Sequence, residues 1–222
     1  MLDSYDYHFL LLAALSACAA SPRDAAPRRP LPPEGGRPSA ASELPTEARA
    51  VIDFWRAAGP GLWFAKDPDF DRRFRERFAD AYAAAARGEL SHWAKSADGA
   101  LALIVLLDQY PRNAFRGTPR MYASDAAARE QAVRTLEAGF GREVAPDLQL
   151  FVILPLAHSE LLADQERSVE LARRLGQPHL GHAEHHRDIV RRFGRFPHRN
   201  AVLGRAWSDA ERHYLENGGY QG

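Results

Sequence analysis

From Pro45 onward, apolar residues recur at the three- and four-residue spacing of helices rather than the strict alternation of strands. The first stripe ends at Gly59-Pro60 and contains Val51, Phe54, Trp55 and Ala58. The second follows the N-cap and first-turn proline of Asp67-Pro68, closes at Gly88, and contains Phe74, Phe78, Ala81, Tyr82 and Ala85. On this second helix, Asp71 and Arg75 are spaced for a surface ion pair.

The stretch from Ala100 to Leu107 is apolar all round, and Ser96 and Asp98 upstream favour a buried helix over a central strand. Further helices are predicted over Asp125 to Phe140, Asp147 to Leu162 with a kink or break at Pro155, Gln165 to Leu175, His179 to Phe193, and after the capping box of Ser208 and Glu211. Seven to nine helices with short joints predict one all-α domain over residues 44–222, a multi-helix bundle or a helical-repeat-like array.

Residues 1–43 are predicted to be a leader and linker that is rich in Pro, Ala and Arg and disordered. The apolar run from Phe9 to Ala17 ends in Leu15-Ser16-Ala17-Cys18, which resembles the lipobox of bacterial lipoproteins. An export signal normally begins with positive charge, whereas the segment before Phe9 has only acidic charges. Two interpretations stay open: a lipid anchor through Cys18, or a mis-assigned start codon.

Composition narrows the classes of partner. The chain has 29 basic and 29 acidic residues, so no overall field attracts nucleic acid, and no basic stripe with stacking aromatics predicts a nucleic-acid partner. Cys18 is the only cysteine, which excludes internal disulfides and a thiolate zinc cluster. The apolar run from Ala100 to Leu107 is far shorter than the roughly 20 residues that a transmembrane helix needs, so no span is predicted.

Polar and ring chemistry concentrates in three stretches, which cover residues 108–117, 155–168 and 182–205. The first and the third contain similar phrases, Tyr110-Pro111-Arg112-Asn113-Ala114 and Phe196-Pro197-His198-Arg199-Asn200-Ala201. In each phrase, proline is predicted to end a helix, Asn can hydrogen-bond to neighbouring backbone groups in the turn, and Arg can bind a carboxylate or phosphate. The structural alternative is that these arginines tie loops to buried acids such as Asp108, Glu160 or Asp164.

The third stretch also has a local excess of positive charge. Against the single acid Asp188 it places Arg187, Arg191, Arg192, Arg195, Arg199 and Arg205. With loop amides near Gly194 and Gly204, this excess could bind an anionic group. A solvated helix face and loop anchoring would explain part of it equally well.

Histidines supply the candidate acid–base chemistry. His158 follows the predicted kink, and a histidine beside acids can transfer protons near neutral pH; the alternative is a polar plug between helices. If the helix continued, Glu160, Asp164 and Arg167 would share one face. His182 and His186 have i,i+4 spacing but do not match the H-E-x-x-H zinc motif, so no metal ligands are predicted.

The chain resembles a bacterial family known as domain of unknown function 924, over roughly Val51 to Tyr220. The matching phrases are Phe54-Trp55, Leu106-Leu107-Asp108-Gln109 with Pro111-Arg112-Asn113, Pro155-Leu156 with His158-Ser159-Glu160, Asp164-Gln165, and residues 192–200 with Leu203-Gly204-Arg205. The resemblance implies a fold similar to tetratricopeptide-repeat (TPR) arrays, a chain that starts at the first helix, and a cytoplasmic location. It implies no established activity.

These observations favour a pocket that binds a small anionic ligand through Arg112, Arg195 and Arg199, with His158, His198 and Glu160 as proton-transfer residues. Further candidate ligand-binding residues are Asp108, Gln109, Asn113, Asp164, Asn200 and Arg205. The sequence specifies no reaction, cofactor or oligomeric state. Two alternatives are a TPR-like scaffold that binds a peptide, and a metal-dependent hydrolase that uses His158, Glu160, His182 or His186.

Overall fold

The computed structural model describes residues 44–222, and within that range every regular element is helical. The α-helices are α1 Thr46–Ala58, α2 Pro60–Trp63, α3 Pro68–Ala86, α4 Ala97–Ile104, α5 Tyr110–Ala114, α6 Asp125–Glu137, α7 Gln149–Ala157, α8 Leu162–Leu175, α9 His179–Phe193, α10 Asn200–Leu203 and α11 Asp209–Glu216. A π-helix, Val105–Gln109, joins α4 to α5, and 3-10 turns fill several of the other connections. The prediction of an all-α fold is confirmed.

The main core forms around α4, which packs against α1, α6 and α7. Every residue from Ala100 to Leu107 is buried, as expected for a segment that is apolar on all sides. Aromatic rings close one end of this core: the Trp55 ring meets Phe151 edge-on at 5.2 Å and Phe74 at 5.4 Å. Burial of these large side chains provides most of the driving force for folding in this half.

Helices α8 and α9 form an antiparallel pair behind α7, because only three residues join them. Val169, Ala172 and Ala183 fill the seam between the two helices. Helix α9 ends at Gly194, whose φ of 71° is the left-handed conformation that glycine adopts most readily. The chain then turns back, and Phe196 packs on Ile189 and Val190.

The connection between α7 and α8 corrects the predicted helix bounds. The predicted helix from Asp147 to Leu162 ends at Ala157, and α8 begins at Leu162 rather than Gln165. The Gln165 amide donates to the carbonyl oxygens of Ala157 at 2.8 Å and Ser159 at 2.6 Å, which satisfies backbone acceptors after α7. Residues 158–161 are therefore a connection between two helices, not a helical turn.

Three further expectations are corrected. Asp71 pairs with Arg116, 45 residues away, instead of with Arg75. The predicted helix from Asp125 to Phe140 ends at Glu137. The total exceeds seven to nine helices because proline or glycine turns add the short helices α2, α5 and α10. By contrast, the cap at Asp67 and the capping box of Ser208 and Glu211 form at the starts of α3 and α11, as predicted, and Ser96 caps α4.

No helix within residues 44–222 has both the length and the hydropathy needed to cross a bilayer. The predicted leader, including the lipobox-like segment and Cys18, lies outside the described residues.

Candidate functional site

The three polar stretches meet at His158. Its Nδ1 lies 2.8 Å from Oδ1 of Asp108, which belongs to the π-helix. Its backbone carbonyl accepts a 2.9 Å hydrogen bond from Nη2 of Arg199, in the 3-10 turn before α10. His158 thus contacts Asp108, 50 positions away, through its side chain, and Arg199, 41 positions away, through its backbone carbonyl.

Asp108 is fully buried, and its position depends on the π-helix at the end of α4. Its second carboxylate oxygen accepts a 2.6 Å bond from the Gln109 amide, and Arg112 lies 3.1 Å from the first. Asn113 donates to the Gln109 carbonyl at 2.8 Å. Single π turns inside helices occur frequently at functional sites, because they redirect one side chain without breaking the helix.

The charged groups around His158 determine its protonation state and which ring nitrogen carries the proton. Burial tends to raise the pKa of Asp108, but Arg112, His158 and Gln109 outweigh burial and lower that pKa to about 2. Burial and Arg112 lower the pKa of His158, and Asp108 only partly offsets them, so the imidazole is neutral near pH 7. Because the carboxylate can only accept, the His158 proton belongs on Nδ1, and Nε2 keeps a lone pair. No hydrogen bond from residues 44–222 reaches Nε2.

Two arginines flank this pair, and they differ in how fully they are bonded. Arg112 binds both carboxylate oxygens of Asp125, at 2.8 and 3.0 Å, and also donates to the Asp108 carbonyl. Arg199 lies 3.5 Å from Asp125 through Nη1, and its buried Nε has no hydrogen-bond partner within residues 44–222. The Arg199 guanidinium stacks between the rings of Tyr122 and Phe196, 4.6 Å from each centroid. Arg199 therefore has the less saturated guanidinium.

The other two predicted arginines, Arg195 and Arg205, form ion pairs that join segments of the fold. Arg205 binds both oxygens of Glu160, at 2.7 and 3.0 Å, and also donates to the Asn200 side chain. Arg195 binds Glu211 through two bonds of 2.6 and 2.8 Å. These two pairs agree with the structural alternative from the sequence, in which arginines tie loops to acids, because Glu160 and Glu211 come from other segments of the chain.

The acids near His158 hold no proton at neutral pH. Burial raises the pKa of Glu160, but Arg205 and the Phe196 amide outweigh burial and lower it. Asp164 accepts from Arg129 and from the Ser159 hydroxyl. The predicted shared face of Glu160, Asp164 and Arg167 is wrong, because Glu160 precedes α8 and bonds to the turn after α9.

Two further histidines near His158, namely His186 and His198, also have pKa values lowered by burial. Burial, followed by Arg199, lowers the pKa of His198 to about 3. Burial also lowers the pKa of His186 well below its ordinary value. Within residues 44–222, no three His, Cys, Asp or Glu side chains converge closely enough to hold a metal ion, so the geometry gives no support to the hydrolase alternative.

Besides Trp55 Nε1 in the main core, five buried polar atoms have no hydrogen-bond partner in the described part of the chain: Gln165 Oε1, Ser168 Oγ, His186 Nδ1, His198 Nδ1 and Arg199 Nε. Buried polar groups are normally hydrogen-bonded, and a ligand or an ordered water is one way in which such atoms gain a partner. Two hollows on the described surface do not include His158 or Arg199 in their lining. A groove of about 510 Å³ has Asn113 among its lining residues, and one of about 270 Å³ lies beside Trp207.

Sequence reasoning missed four participants, namely Tyr122, Asp125, Arg129 and Glu211. From the sequence alone, Asp125 and Glu211 are only residues in the first turns of helices. The sequence shows that both acids lie at helix starts. It does not show which arginine each acid binds, because the arginines belong to other segments.

Comparison with known proteins places the chain in a family. The model of the family described as "Bacterial protein of unknown function (DUF924)" matches residues 51–219, and the chain belongs to that family. A solved structure, that of the protein of unknown function ATU0120 from Agrobacterium tumefaciens, is 51% identical with a TM-score of 0.76, over 78% of this chain and 98% of that one. A comparison with curated proteins gave no match.

Proposed function

We propose that this member of the family binds a small anionic compound and transfers a proton to or from it through His158. The observation that carries the proposal is the contact of 2.8 Å between Asp108 and His158 Nδ1, with no bond from residues 44–222 to Nε2. A buried carboxylate that fixes the tautomer and orientation of an imidazole leaves the opposite nitrogen available as a base.

Arg199 is the residue that we assign to the anion. Its Nη2 is anchored on the His158 carbonyl, so the guanidinium is held next to the imidazole, and its contact with Asp125 is long at 3.5 Å. A ligand carboxylate or phosphate could compete with Asp125 for this guanidinium. Arg112, Arg195 and Arg205 are each bound to acids through two nitrogen–oxygen contacts, and they serve to hold the site together.

Limited exposure restricts the substrate to a small molecule. The His158 side chain is 17% exposed, Asp125 is 22% exposed, and Arg199 is 8% exposed. A low-dielectric surrounding strengthens the interaction between a guanidinium and an anion. Burial also lowers the pKa of the His158 imidazole, so the ring is neutral at pH 7 and has a lone pair that can accept a proton.

A thermal-shift panel of phosphorylated and carboxylated metabolites tests the binding step. A compound present at 100 times its Kd stabilises the folded state by about 2.7 kcal/mol. For a domain of this size, that energy corresponds to a rise in Tm on the order of 5–10 °C. Arg199→Gln should abolish the shift, whereas the control Arg134→Gln, at an exposed residue of α6 paired with Glu130, should preserve it.

Proton transfer is then tested on each compound that binds. Incubation in D₂O, followed by ¹H NMR, reports exchange or conversion of the ligand, and His158→Gln should slow it by roughly 10²–10⁴-fold. If no compound raises Tm, or if the His158→Gln protein reacts at the wild-type rate, the proposal is wrong.

A second candidate is the peptide-binding scaffold, which is favoured by two exposed leucines, one at the end of the connection that carries His158 and one at the start of α8. Leu161 is 57% exposed and Leu162 is 42% exposed. A helical peptide that covers them should lose affinity for a Leu161→Ser, Leu162→Ser variant, as measured by calorimetry. The scaffold hypothesis requires both this loss of affinity and a thermal-shift panel in which no metabolite raises Tm.

A further inference from the structure

The groove beside Asn113 lies between the start of α3 and the end of α5, and we call it the α3–α5 groove. It is lined from one side by residues within 68–75 and from the other by residues within 113–116. Its volume of about 510 Å³ lies in the range of about 300–1,000 Å³ that is usual for small-molecule sites. Its charged lining residues are three arginines and two aspartates, namely Arg72, Arg75, Arg116, Asp69 and Asp71.

The arginines of this groove keep N–H donors that the described chain does not use. Arg116 binds Asp71 through Nε at 2.9 Å and Nη2 at 3.0 Å, and its Nη1 forms no hydrogen bond within residues 44–222. The exposed Arg75 side chain has no hydrogen bond or ion pair in that range, because Tyr110 contacts only the Arg75 backbone carbonyl. Two elements of the fold therefore present free guanidinium donors to one groove.

Asn113 connects the groove with the proposed site. It is only 5% exposed, and its Oδ1 accepts a 3.1 Å hydrogen bond from Nη2 of Arg116. Its Nδ2 donates to the Gln109 carbonyl at 2.8 Å, and the Gln109 amide donates to Asp108 at 2.6 Å. Asp108 in turn contacts His158, so a continuous set of hydrogen-bonded residues runs from the groove to the imidazole.

We propose that the α3–α5 groove is a second binding site, for a small anion with at least two charged groups, as in a diphosphate, and that its occupancy alters the Asp108–His158 pair. A guanidinium fork matches the oxygens of phosphates and carboxylates. Since Asp69 and Asp71 repel negative charge, an anion with one charge gains little there, whereas two anionic groups can contact Arg75 and Arg116. The regulatory meaning rests on the proposed function, but the binding does not.

Anion binding reaches His158 through competition for Arg116. Nη2 of Arg116 has two N–H groups and three acceptors, because it also lies 3.5 Å from the Ala65 carbonyl. An anion that draws this nitrogen away leaves the buried Asn113 Oδ1 without a donor. A buried acceptor without a donor is costly, so Asn113 should shift with the guanidinium and change its bond to Gln109.

Calorimetric titration of the full chain with sodium pyrophosphate, at pH 7 and constant ionic strength, tests the site. Arg75→Gln removes a guanidinium that has no other partner in the described chain, and it should weaken binding by about tenfold or more. Acetate, which has one charge, should bind at least about tenfold more weakly than pyrophosphate.

Two control variants should keep the wild-type affinity for pyrophosphate within about threefold. Arg73→Gln removes an exposed arginine of the same helix that does not line the groove. Arg199→Gln removes the guanidinium assigned to the anion beside His158 and leaves the groove intact.

The pattern across the variants separates this proposal from the proposed function. Absence of binding to wild type, equal affinity for acetate, or equal losses in Arg73→Gln and Arg75→Gln would overturn the groove site and leave the His158 site unaffected. Loss of binding in Arg199→Gln, with none in Arg75→Gln, would put pyrophosphate beside His158 and would also overturn the groove site.

NMR of ¹⁵N-labelled imidazoles tests the transmission, with the His158 signals assigned by their loss in His158→Gln. Saturating pyrophosphate should shift these signals in wild type and in Arg199→Gln, but not in Asn113→Ala, which keeps the groove arginines and breaks the link to Gln109. Unchanged His158 signals in wild type, or an equal shift in Asn113→Ala, would overturn the transmission. If Asn113→Ala fails to fold by circular dichroism, Arg116→Gln at saturating pyrophosphate decides, because it removes the donor to Asn113 and should also abolish the shift.

Discussion

The replacement Asp108→Asn probes the centre of the structure, because it removes one charge and leaves the shape of the side chain. Asp108 is wholly buried and contacts His158, Gln109 and Arg112. Removing one partner of a buried charged network typically costs 3–5 kcal/mol. We expect the free energy of unfolding to fall by about 3 kcal/mol, toward the low end because Arg112 keeps its contacts with Asp125.

The same replacement should move the His158 proton. An asparagine amide can donate to Nδ1, which shifts the proton to Nε2 and removes the free lone pair. Loss of the carboxylate also removes a group that raises the pKa of His158, so this pKa should fall further.

Urea denaturation at pH 7 measures the stability, and ¹⁵N shifts of the imidazole measure the tautomer. The matched control is Asp69→Asn, since the Asp69 side chain is 82% exposed and its pair with Arg72 should contribute less than about 1 kcal/mol. Loss of less than 1 kcal/mol on Asp108→Asn, with the proton still on Nδ1, would refute the assignment of Asp108 as the residue that orients His158.

Two further outcomes are expected. The folded-state pKa of Asp108 is lowered from 3.8 to about 2, so the Asp108 carboxylate contributes about 2 kcal/mol to the free energy of unfolding above pH 4 and loses this contribution as pH falls toward 2. Asp108→Asn should therefore flatten the curve of stability against pH between pH 4 and pH 2. A variant whose stability falls as steeply as that of wild type in this range would contradict the reasoning. Phe151→Ala should cost about 3–5 kcal/mol in urea denaturation, because the ring is fully buried against Trp55 and Trp63, and a loss under 1 kcal/mol would show that this end of the core does not support the fold.

The tertiary arrangement explains why the predicted anion site narrows to one arginine. In the sequence, Arg195, Arg199 and Arg205 look equivalent, because each follows α9 in a segment with little acid. Their partners Glu211, Asp125 and Glu160 come from three different segments. Only the folded chain distinguishes a guanidinium that closes a turn from one that keeps bonding capacity.

Local rules were sufficient wherever the deciding interaction lies within a few residues. The caps at Asp67 and Ser208, and the end of α9 at Gly194, depend on one turn of backbone, and so the sequence alone determined them. The all-α class followed in the same way, because apolar spacing dictates which face of each segment can be buried.

Distant pairing decided the rest. The Asp108–His158 contact spans 50 positions, and the end of α7 at Ala157 depends on Gln165 from the next helix. The π-helix at Val105–Gln109 lies in a uniformly apolar run whose periodicity cannot reveal an extra residue in one turn. Periodicity reports which surfaces must be covered, whereas the partner that covers each of them is fixed only when the helices pack.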